Sequence, residues 1–157
     1  MSVGKIKQRP LRLGEEDKRG VRTQFGALCW RKHRDEVQVL LITSRRSKRW
    51  ILPKGWPMHN QTPADAAATE AWEEAGVRGQ AVDNCLGVYS YVKPLRKSQA
   101  PVLVMVYPLA VTEIAGTWPE QHQRKRKWYS VRKAAKRLTE PGLRRIVATF
   151  DPSKLPG

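Results

Sequence analysis

Three glutamates in the middle of the chain have helical spacing: Glu70, Glu73 and Glu74. Positions i, i+3 and i+4 of a helix fall within about 100° of one another, so the three carboxylates form one acidic stripe. The chain has only 14 acidic residues against 30 Lys and Arg, and neighbouring carboxylates repel one another. The stripe therefore indicates a site for a hard divalent cation, which binds carboxylate and phosphate oxygens. The alternative is an ordinary solvated helix face, because Glu favours helices.

The sequence around the stripe predicts where the helix begins and ends. Thr62 is a good N-cap, Pro63 suits the first helical position, and Asp65 adds an acid to the first turn. Gly76 is placed to end the helix after residue 75. Most of the opposite face is alanine, which lets the helix backbone pack closely against a sheet: Ala64, Ala67, Ala68, Ala71 and Ala75.

The remaining elements are predicted to be mainly strands, which have to position this helix. Apolar stretches 25–30 and 37–43 form a hairpin around a charged turn at 31–36. A short extended piece at 50–53 leads into a loop at 54–57. Further elements are strands at 86–92, 102–111 and 128–130, with 102–111 central, and helices at 131–138 and 141–150. One helix inserted among strands and two at the end predict an α+β or α/β sandwich.

Composition and charge narrow the class of protein. A chain of 157 residues with 40% hydrophobic residues forms one folded domain rather than a disordered segment. The net charge of +16 favours an anionic partner, which leaves nucleic acid, an anionic membrane or a polyphosphorylated substrate. No segment has the length of a membrane span or of a signal peptide. Cys29 and Cys85 are expected to be buried, reduced thiols, and a cytoplasmic location is predicted.

The stretch from Gly55 to Val77 resembles the Nudix box. That pattern is Gly, five residues, Glu, seven residues, then Arg-Glu-apolar-x-Glu-Glu-x-Gly-apolar. Two positions depart from it, because Gln61 stands where the pattern has Glu and Thr69 where it has Arg. The matching residues are Gly55, Glu70, Ala71, Glu73, Glu74, Gly76 and Val77.

The resemblance implies roles for these residues. Glu70, Glu73 and Glu74 are the implied ligands of Mg²⁺, with Mn²⁺ as an alternative, and one of them positions or deprotonates water. Gly55 is implied to allow a sharp turn into the helix. The family's Arg pairs with a box carboxylate, which Thr69 cannot do. Gln61 removes an acid that assists metal binding. A module of this fold without activity therefore remains an alternative.

Outside the box, four segments resemble the diphosphoinositol polyphosphate phosphohydrolase branch, whose members also cleave diadenosine polyphosphates. These segments are 25–31, 39–45, 48–55, and 112–114 together with 124–129. The likeness covers about residues 21–138 and implies the Nudix fold, a mixed sheet between helices in an α/β/α sandwich. The predicted organisation is a flexible basic arm at 1–20, a Nudix domain at 21–150 and a tail at 151–157.

Basic residues occur in three loop groups, at 45–49, 93–97 and 124–127. Arginine binds phosphate through two parallel hydrogen bonds and lysine supplies a mobile charge. The alternative for any one of them is a solvated basic surface. From the subfamily resemblance, the predicted substrate-binding residues are Arg22, Ser44, Arg45, Lys54, Gly55 and Arg124.

The predicted function is Mg²⁺-dependent cleavage of a phosphoanhydride bond in a diphosphoinositol polyphosphate or a dinucleoside polyphosphate. Alternatives are another nucleoside diphosphate derivative, the 5′ end of RNA, or noncatalytic polyanion binding. Dedicated nucleic-acid binding is not favoured, because no zinc spacing or RNA-binding aromatic motif occurs. The general base stays open between Glu113 and Glu120, with His122 weaker, and the oligomeric state stays open.

Overall fold

The computed structural model describes residues 8 and 10 and residues 22–92 and 101–156. Most of the predicted arm and the basic group at 93–97 lie outside the described residues. Within the predicted arm, Gln8 accepts a hydrogen bond of 2.7 Å from the Tyr107 hydroxyl.

In the described part of the chain, one helix stands between two groups of four strands, and the remaining helices follow the last strand. The strands are β1 (Thr23–His33), β2 (Glu36–Thr43), β3 (Trp50–Ile51), β4 (Lys54–Gly55), β5 (Val77–Ala81), β6 (Gly87–Tyr91), β7 (Val102–Ile114) and β8 (Arg126–Ser130). The helices are α1 (Pro63–Glu70), which continues as a π-helical turn (Ala71–Ala75), α2 (Val131–Arg137), α3 (Pro141–Ala148) and a 3₁₀ turn (Pro152–Lys154).

The strands form one mixed sheet. β1 runs parallel to β7, and the other pairings are antiparallel. β7 is central, as predicted, because β1 pairs with one edge while β6 and β5 pair with the other. β1 and β2 begin as a hairpin and then separate, so β3 pairs with β2 and β4 pairs with β1. β8 pairs with the opposite edge of β2.

Alternating side chains of β1 and β2 build one core on each face of the sheet. Cys29 and Ile42 pack with the alanines of α1 on one face. Leu28 and Leu41 pack with α2 and α3 on the other. Strand side chains point alternately to the two faces, so apolar runs are buried on both sides. The predicted α/β/α sandwich is confirmed.

The predicted start and end of the box helix are also confirmed. The Thr62 hydroxyl accepts the backbone N–H of Asp65 at 3.1 Å, and Pro63 is the first helical residue. Gly76 ends the helix in the left-handed region, at φ 68°. That conformation suits glycine because a Cβ there would be strained.

Four local predictions were wrong. The turn at 31–36 is only Arg34 and Asp35, because the flanking residues complete the β1–β2 pairing. The predicted loop at 54–57 begins with β4, which fills the β1 edge that β2 leaves. β5 was not predicted, because its sequence Val-Arg-Gly-Gln-Ala is mostly polar. Cys85 is exposed, whereas Cys29 is buried as expected.

No helix in the described ranges is long and apolar enough to cross a membrane.

Candidate active site

The acidic stripe lies where α1 passes into its π-helical turn. The Gly76 N–H points back to the carbonyls of both Ala71 and Trp72, which widens the last turn around Glu73 and Glu74. The final carbonyls of a helix lack partners within it, and π-helical turns occur often at functional sites.

The segment between β7 and β8, together with the first residue of β8, supplies the missing partners for this turn. The Glu120 N–H donates to the Glu73 carbonyl at 3.0 Å. The Trp118 indole N–H donates to the Glu74 carbonyl at 3.2 Å. Arg126 Nη1 donates to the Ala75 carbonyl at 2.9 Å. The backbone that carries the glutamates is therefore held by residues more than forty positions away in the sequence.

Glu74 is the most buried of the three predicted ligands, at 7% exposure. One carboxylate oxygen accepts the Lys54 backbone N–H at 3.2 Å, and the other lies 3.5 Å from Arg124 Nη2. Burial raises the pKa of the Glu74 carboxyl, and the charge of Arg124 opposes this shift only in part. Glu74 is thus tied to β4 on one side and to the segment before β8 on the other.

Glu70 packs directly against Gly55. A Cβ added to Gly55 would lie 2.2 Å from the Glu70 carboxylate, so an added side chain would force that carboxylate to move. Gly55 lies in β4 and not at a turn into the helix, so the implied turn is not observed. Burial raises the pKa of Glu70 to about 8, with further contributions from the charges of Glu74 and Glu73 and from a hydrogen bond to the Glu74 side chain.

Glu120 adds a fourth carboxylate to this region. Its charge acts on both Glu70 and Glu74 and raises the pKa of each. Glu113, the other acid considered as a base, pairs instead with Arg78 at 3.7 Å on the exposed surface. The geometry therefore brings Glu120, rather than Glu113, to the predicted ligands.

Arg124 points into the protein. Its side chain is only 7% exposed and contacts Glu120 at 2.9 Å as well as Glu74. Nη1 also donates to the Thr43 carbonyl at 3.2 Å. All three groups are acceptors, so Arg124 holds the acidic cluster together at the end of β2.

The other predicted substrate-binding residues lie around this cluster in different settings. Arg45 is exposed and donates to the Gln123 side chain at 3.3 Å. Ser44 accepts the Arg49 backbone N–H at 3.1 Å. Lys54 Nζ lies 4.6 Å from the centre of the Tyr91 ring. The Arg22 guanidinium lies 5.3 Å from the centre of the Trp56 ring.

The two departures from the box pattern contact each other. The Thr69 hydroxyl lies 3.3 Å from the Gln61 side-chain oxygen and 3.1 Å from the Asp65 carbonyl. An acid and a base at these positions would form a charged pair. Glutamine and threonine form a neutral hydrogen bond in the same place.

The donor chemistry of the cluster suits a hard divalent cation, because carboxylate oxygens are its preferred ligands. Within the described ranges, no three acidic, histidine or cysteine side chains form a ready-made metal cage. Mg²⁺ does not need one, since it commonly keeps several waters and binds one or two carboxylates plus substrate phosphates.

Sequence reasoning missed the roles of Trp118 and Arg126 as donors to the π-helical turn. No local signal identified them, because their partners lie far away in the sequence. Trp50 is half-buried, packs against the core and also lines a cavity beside Lys54.

Comparisons with known proteins identify the family to which this chain belongs. Residues 21–150 match the family model of the NUDIX domain. Human diphosphoinositol polyphosphate phosphohydrolase 3-alpha is 34% identical over 136 residues, covering 85% of this chain and 79% of its own. Rat diphosphoinositol polyphosphate phosphohydrolase 2 is 32% identical over 135 residues, covering 85% and 72%.

Solved structures agree on the fold. The Ap4A hydrolase of C. elegans has a TM-score of 0.60 at 18% identity and covers 82% of this chain and 95% of its own. The NUDIX domain of Shewanella oneidensis NrtR, complexed with ADP ribose, has a TM-score of 0.62 at 14% identity and covers 85% and 89%. The chain therefore belongs to the Nudix hydrolase family, whose members cleave phosphoanhydride bonds, and it lies near the diphosphoinositol polyphosphate phosphohydrolases.

Proposed function

We propose that this protein is a Mg²⁺-dependent pyrophosphohydrolase that cleaves a phosphoanhydride bond in diphosphoinositol polyphosphates or dinucleoside polyphosphates. The observation that carries the proposal is the cluster of Glu70, Glu74 and Glu120 around Gly55 and Arg124, with Glu73 on the same turn. The names of the curated relatives support the first substrate class. The second class follows from the likeness to that branch.

Glu70, Glu73 and Glu74 would hold the metal, with Mn²⁺ as an alternative to Mg²⁺. Nudix hydrolases generally use divalent metals. A bound Mg²⁺ ion supplies positive charge to the phosphate oxygens and acidifies water. Arg124 and the Lys54 N–H each contact one oxygen of the Glu74 carboxylate. These contacts would orient Glu74 toward the metal. Glu120, beside Arg124, is the proposed general base that accepts the proton of the attacking water.

The cations near the cluster would bind the remaining phosphates. A chain of phosphates carries several negative charges, and preorganised donors stabilise the charge that develops as the bond breaks. Arg45 is exposed, and Ser44 stands next to it at the end of β2. Lys54 also lies next to the cluster, because its backbone N–H donates to the Glu74 carboxylate. Arg22 and Gly55 complete the proposed substrate-binding set.

Arg124 has a different proposed role. Its buried guanidinium is already paired with two carboxylates, so we assign it to positioning Glu74 rather than to contacting a phosphate.

The proposed organisation is a basic arm at 1–20, the catalytic domain at 21–150 and a tail at 151–157. We also propose a cytoplasmic location, consistent with the free thiols of Cys29 and Cys85.

The test is phosphate or nucleotide release from a panel of substrates, with Mg²⁺ and with a chelator. The panel contains a diphosphoinositol polyphosphate, diadenosine hexaphosphate, ADP-ribose and 5′-triphosphorylated RNA. We expect turnover of the first two that is lost with the chelator and in Glu73→Gln. Preferred turnover of either of the last two would favour the alternative substrates.

The neutral Gln61–Thr69 pair is the observation that favours a second candidate, a noncatalytic polyanion-binding module. Tight binding of polyphosphates with no turnover of the whole panel would support that candidate and reject the enzyme. A Glu73→Gln variant as active as the parent would reject the metal assignment alone.

A further inference from the structure

A cavity of about 200 Å³ lies beside the acidic cluster, on the face of the sheet that carries α2 and α3. Its walls are mostly apolar and aromatic. Tyr89, Leu138 and Leu143 are buried, at 5%, 2% and 1% exposure. Half-buried Trp50 and Tyr91 complete these walls. Such walls, with a few polar groups among them, are the usual composition of a site for an organic ligand.

Basic residues line the cavity, and one of them also contacts the proposed catalytic site. Ser44, Arg46 and Arg49 line it from the loop after β2. Lys54 lines it too, and the Lys54 backbone N–H binds the Glu74 carboxylate at 3.2 Å. Lys54 therefore contributes both to the wall of the cavity and to the contacts of the glutamate cluster.

Glu140 is the one acidic residue among the described residues that line the cavity, and it disfavours a phosphorylated ring beside it. Glu140, the N-cap of α3, lines it, and its side chain makes no capping hydrogen bond. Phosphates on every side of an inositol ring would face this carboxylate and the apolar walls. A nucleobase has flat faces that pack against aromatic rings, and an amino-bearing base such as adenine presents an N–H₂ donor at its edge. A carboxylate accepts from such a group.

We propose that this cavity binds the nucleobase of a nucleoside polyphosphate, so that dinucleoside polyphosphates are preferred to diphosphoinositol polyphosphates. The inference rests on the proposed function, because it assigns one of its two substrate classes. The base would pack against the apolar and aromatic walls, which include Tyr91 and Leu143. Its amino group would face Glu140, and the phosphates would leave past Arg46, Arg49 and Lys54.

The first test is calorimetric binding in the absence of divalent metal, which needs no turnover. The probes are AMP, IMP, which lacks the amino group, and inorganic tripolyphosphate, which lacks a base. Tyr91→Ala should weaken AMP binding about tenfold, because base–aromatic stacking has that order of effect. Binding of tripolyphosphate should not change, which also shows that the variant is folded.

Glu140→Ala tests the proposed contact between the amino group of the base and the Glu140 carboxylate. Glu36→Ala is its matched control. Glu36 is exposed and lies outside the cavity, and its removal changes the net charge equally. We expect AMP to bind about tenfold more weakly to Glu140→Ala than to Glu36→Ala. IMP should bind both equally. Equal AMP binding to parent, Tyr91→Ala and Glu140→Ala would overturn the assignment.

The second test compares kcat/KM for diadenosine hexaphosphate and a diphosphoinositol polyphosphate. A preference of about tenfold or more for the dinucleotide, lost in Tyr91→Ala, supports the inference. Preferred cleavage of the diphosphoinositol overturns the inference and leaves the proposed function standing. Failure to cleave either substrate, together with the expected AMP binding pattern, supports the cavity assignment and rejects the hydrolysis.

Discussion

Two regions of the box segment differ in how their side chains are held. Gln61 and Thr69 satisfy each other within one local stretch through a neutral hydrogen bond. Glu74 is held by partners from elsewhere in the fold, the Lys54 N–H and the buried Arg124. The family pattern has an arginine at position 69 to orient a box carboxylate. Here Arg124, fifty-five positions later, lies against Glu74, and we propose that it supplies the orienting charge.

We propose that this difference lets the chain keep its activity despite the two departures from the pattern. Replacing an acid and a base together by Gln61 and Thr69 leaves no unpaired charge. Arg124 keeps a cation beside the carboxylates at 7% side-chain exposure, where charges interact more strongly than at the surface. We therefore expect substitutions in the acidic cluster to change kcat strongly and substitutions of Gln61 and Thr69 to change it little.

The largest effect is expected at Glu74. Glu74→Gln removes a proposed metal ligand while keeping the side-chain size, so kcat should fall about 1,000-fold. The fold should persist, because an amide can still bond to the Lys54 N–H. Steady-state kinetics and circular dichroism measure both, with exposed Glu36→Gln as control. A loss below tenfold would remove Glu74 from the proposed machinery.

Gly55→Ala should have the next largest effect. Its Cβ would lie 2.2 Å from the Glu70 carboxylate, so Glu70 has to move. A displacement of about 1 Å in a catalytic group costs about 100-fold in rate. Gly116→Ala is the matched control, since its Cβ would meet nothing within 4 Å. Equal kcat values for the two variants would show that the position of Glu70 does not matter.

Arg124→Ala tests whether Arg124 orients the acidic cluster. If Arg124 positions Glu74, kcat should fall about 30-fold with little change in KM, as for residues that orient metal ligands. Thermal unfolding should show a loss of about 3 kcal/mol, because Glu74 and Glu120 lose a buried partner. Exposed Arg132→Ala is the control. A rise in KM with unchanged kcat would instead identify a phosphate contact.

The smallest effect is expected from restoring the family pair. Gln61→Glu with Thr69→Arg replaces the neutral pair by a charged pair near the helix surface, where ion pairs contribute little. We therefore expect kcat to change less than about threefold and the free energy of unfolding to change by about 0.5 kcal/mol. Each single variant should be less stable than the double variant, which a double-mutant cycle measures. A large gain in kcat for the double variant would mean that Arg124 does not compensate.

Much of the fold could be read from local sequence patterns. The capping residues Thr62 and Pro63 and the terminating Gly76 bound the box helix, because capping depends on residues next to one another. Apolar runs on both faces identified β2 and β7. The polar β5 was missed because its pairing with β7, rather than its own composition, makes it a strand.

The sequence by itself determined the acidic stripe, the helix that carries it, and the family to which the spacing belongs. Helical geometry is local, so spacing alone brings Glu70, Glu73 and Glu74 to one face. Only the tertiary structure decided that Gly55 makes room for Glu70, that Arg124 points inward, and that Trp118 and Arg126 cap the π-helical turn. Those contacts join residues far apart in the chain, and their positions follow from the packing of the whole sheet.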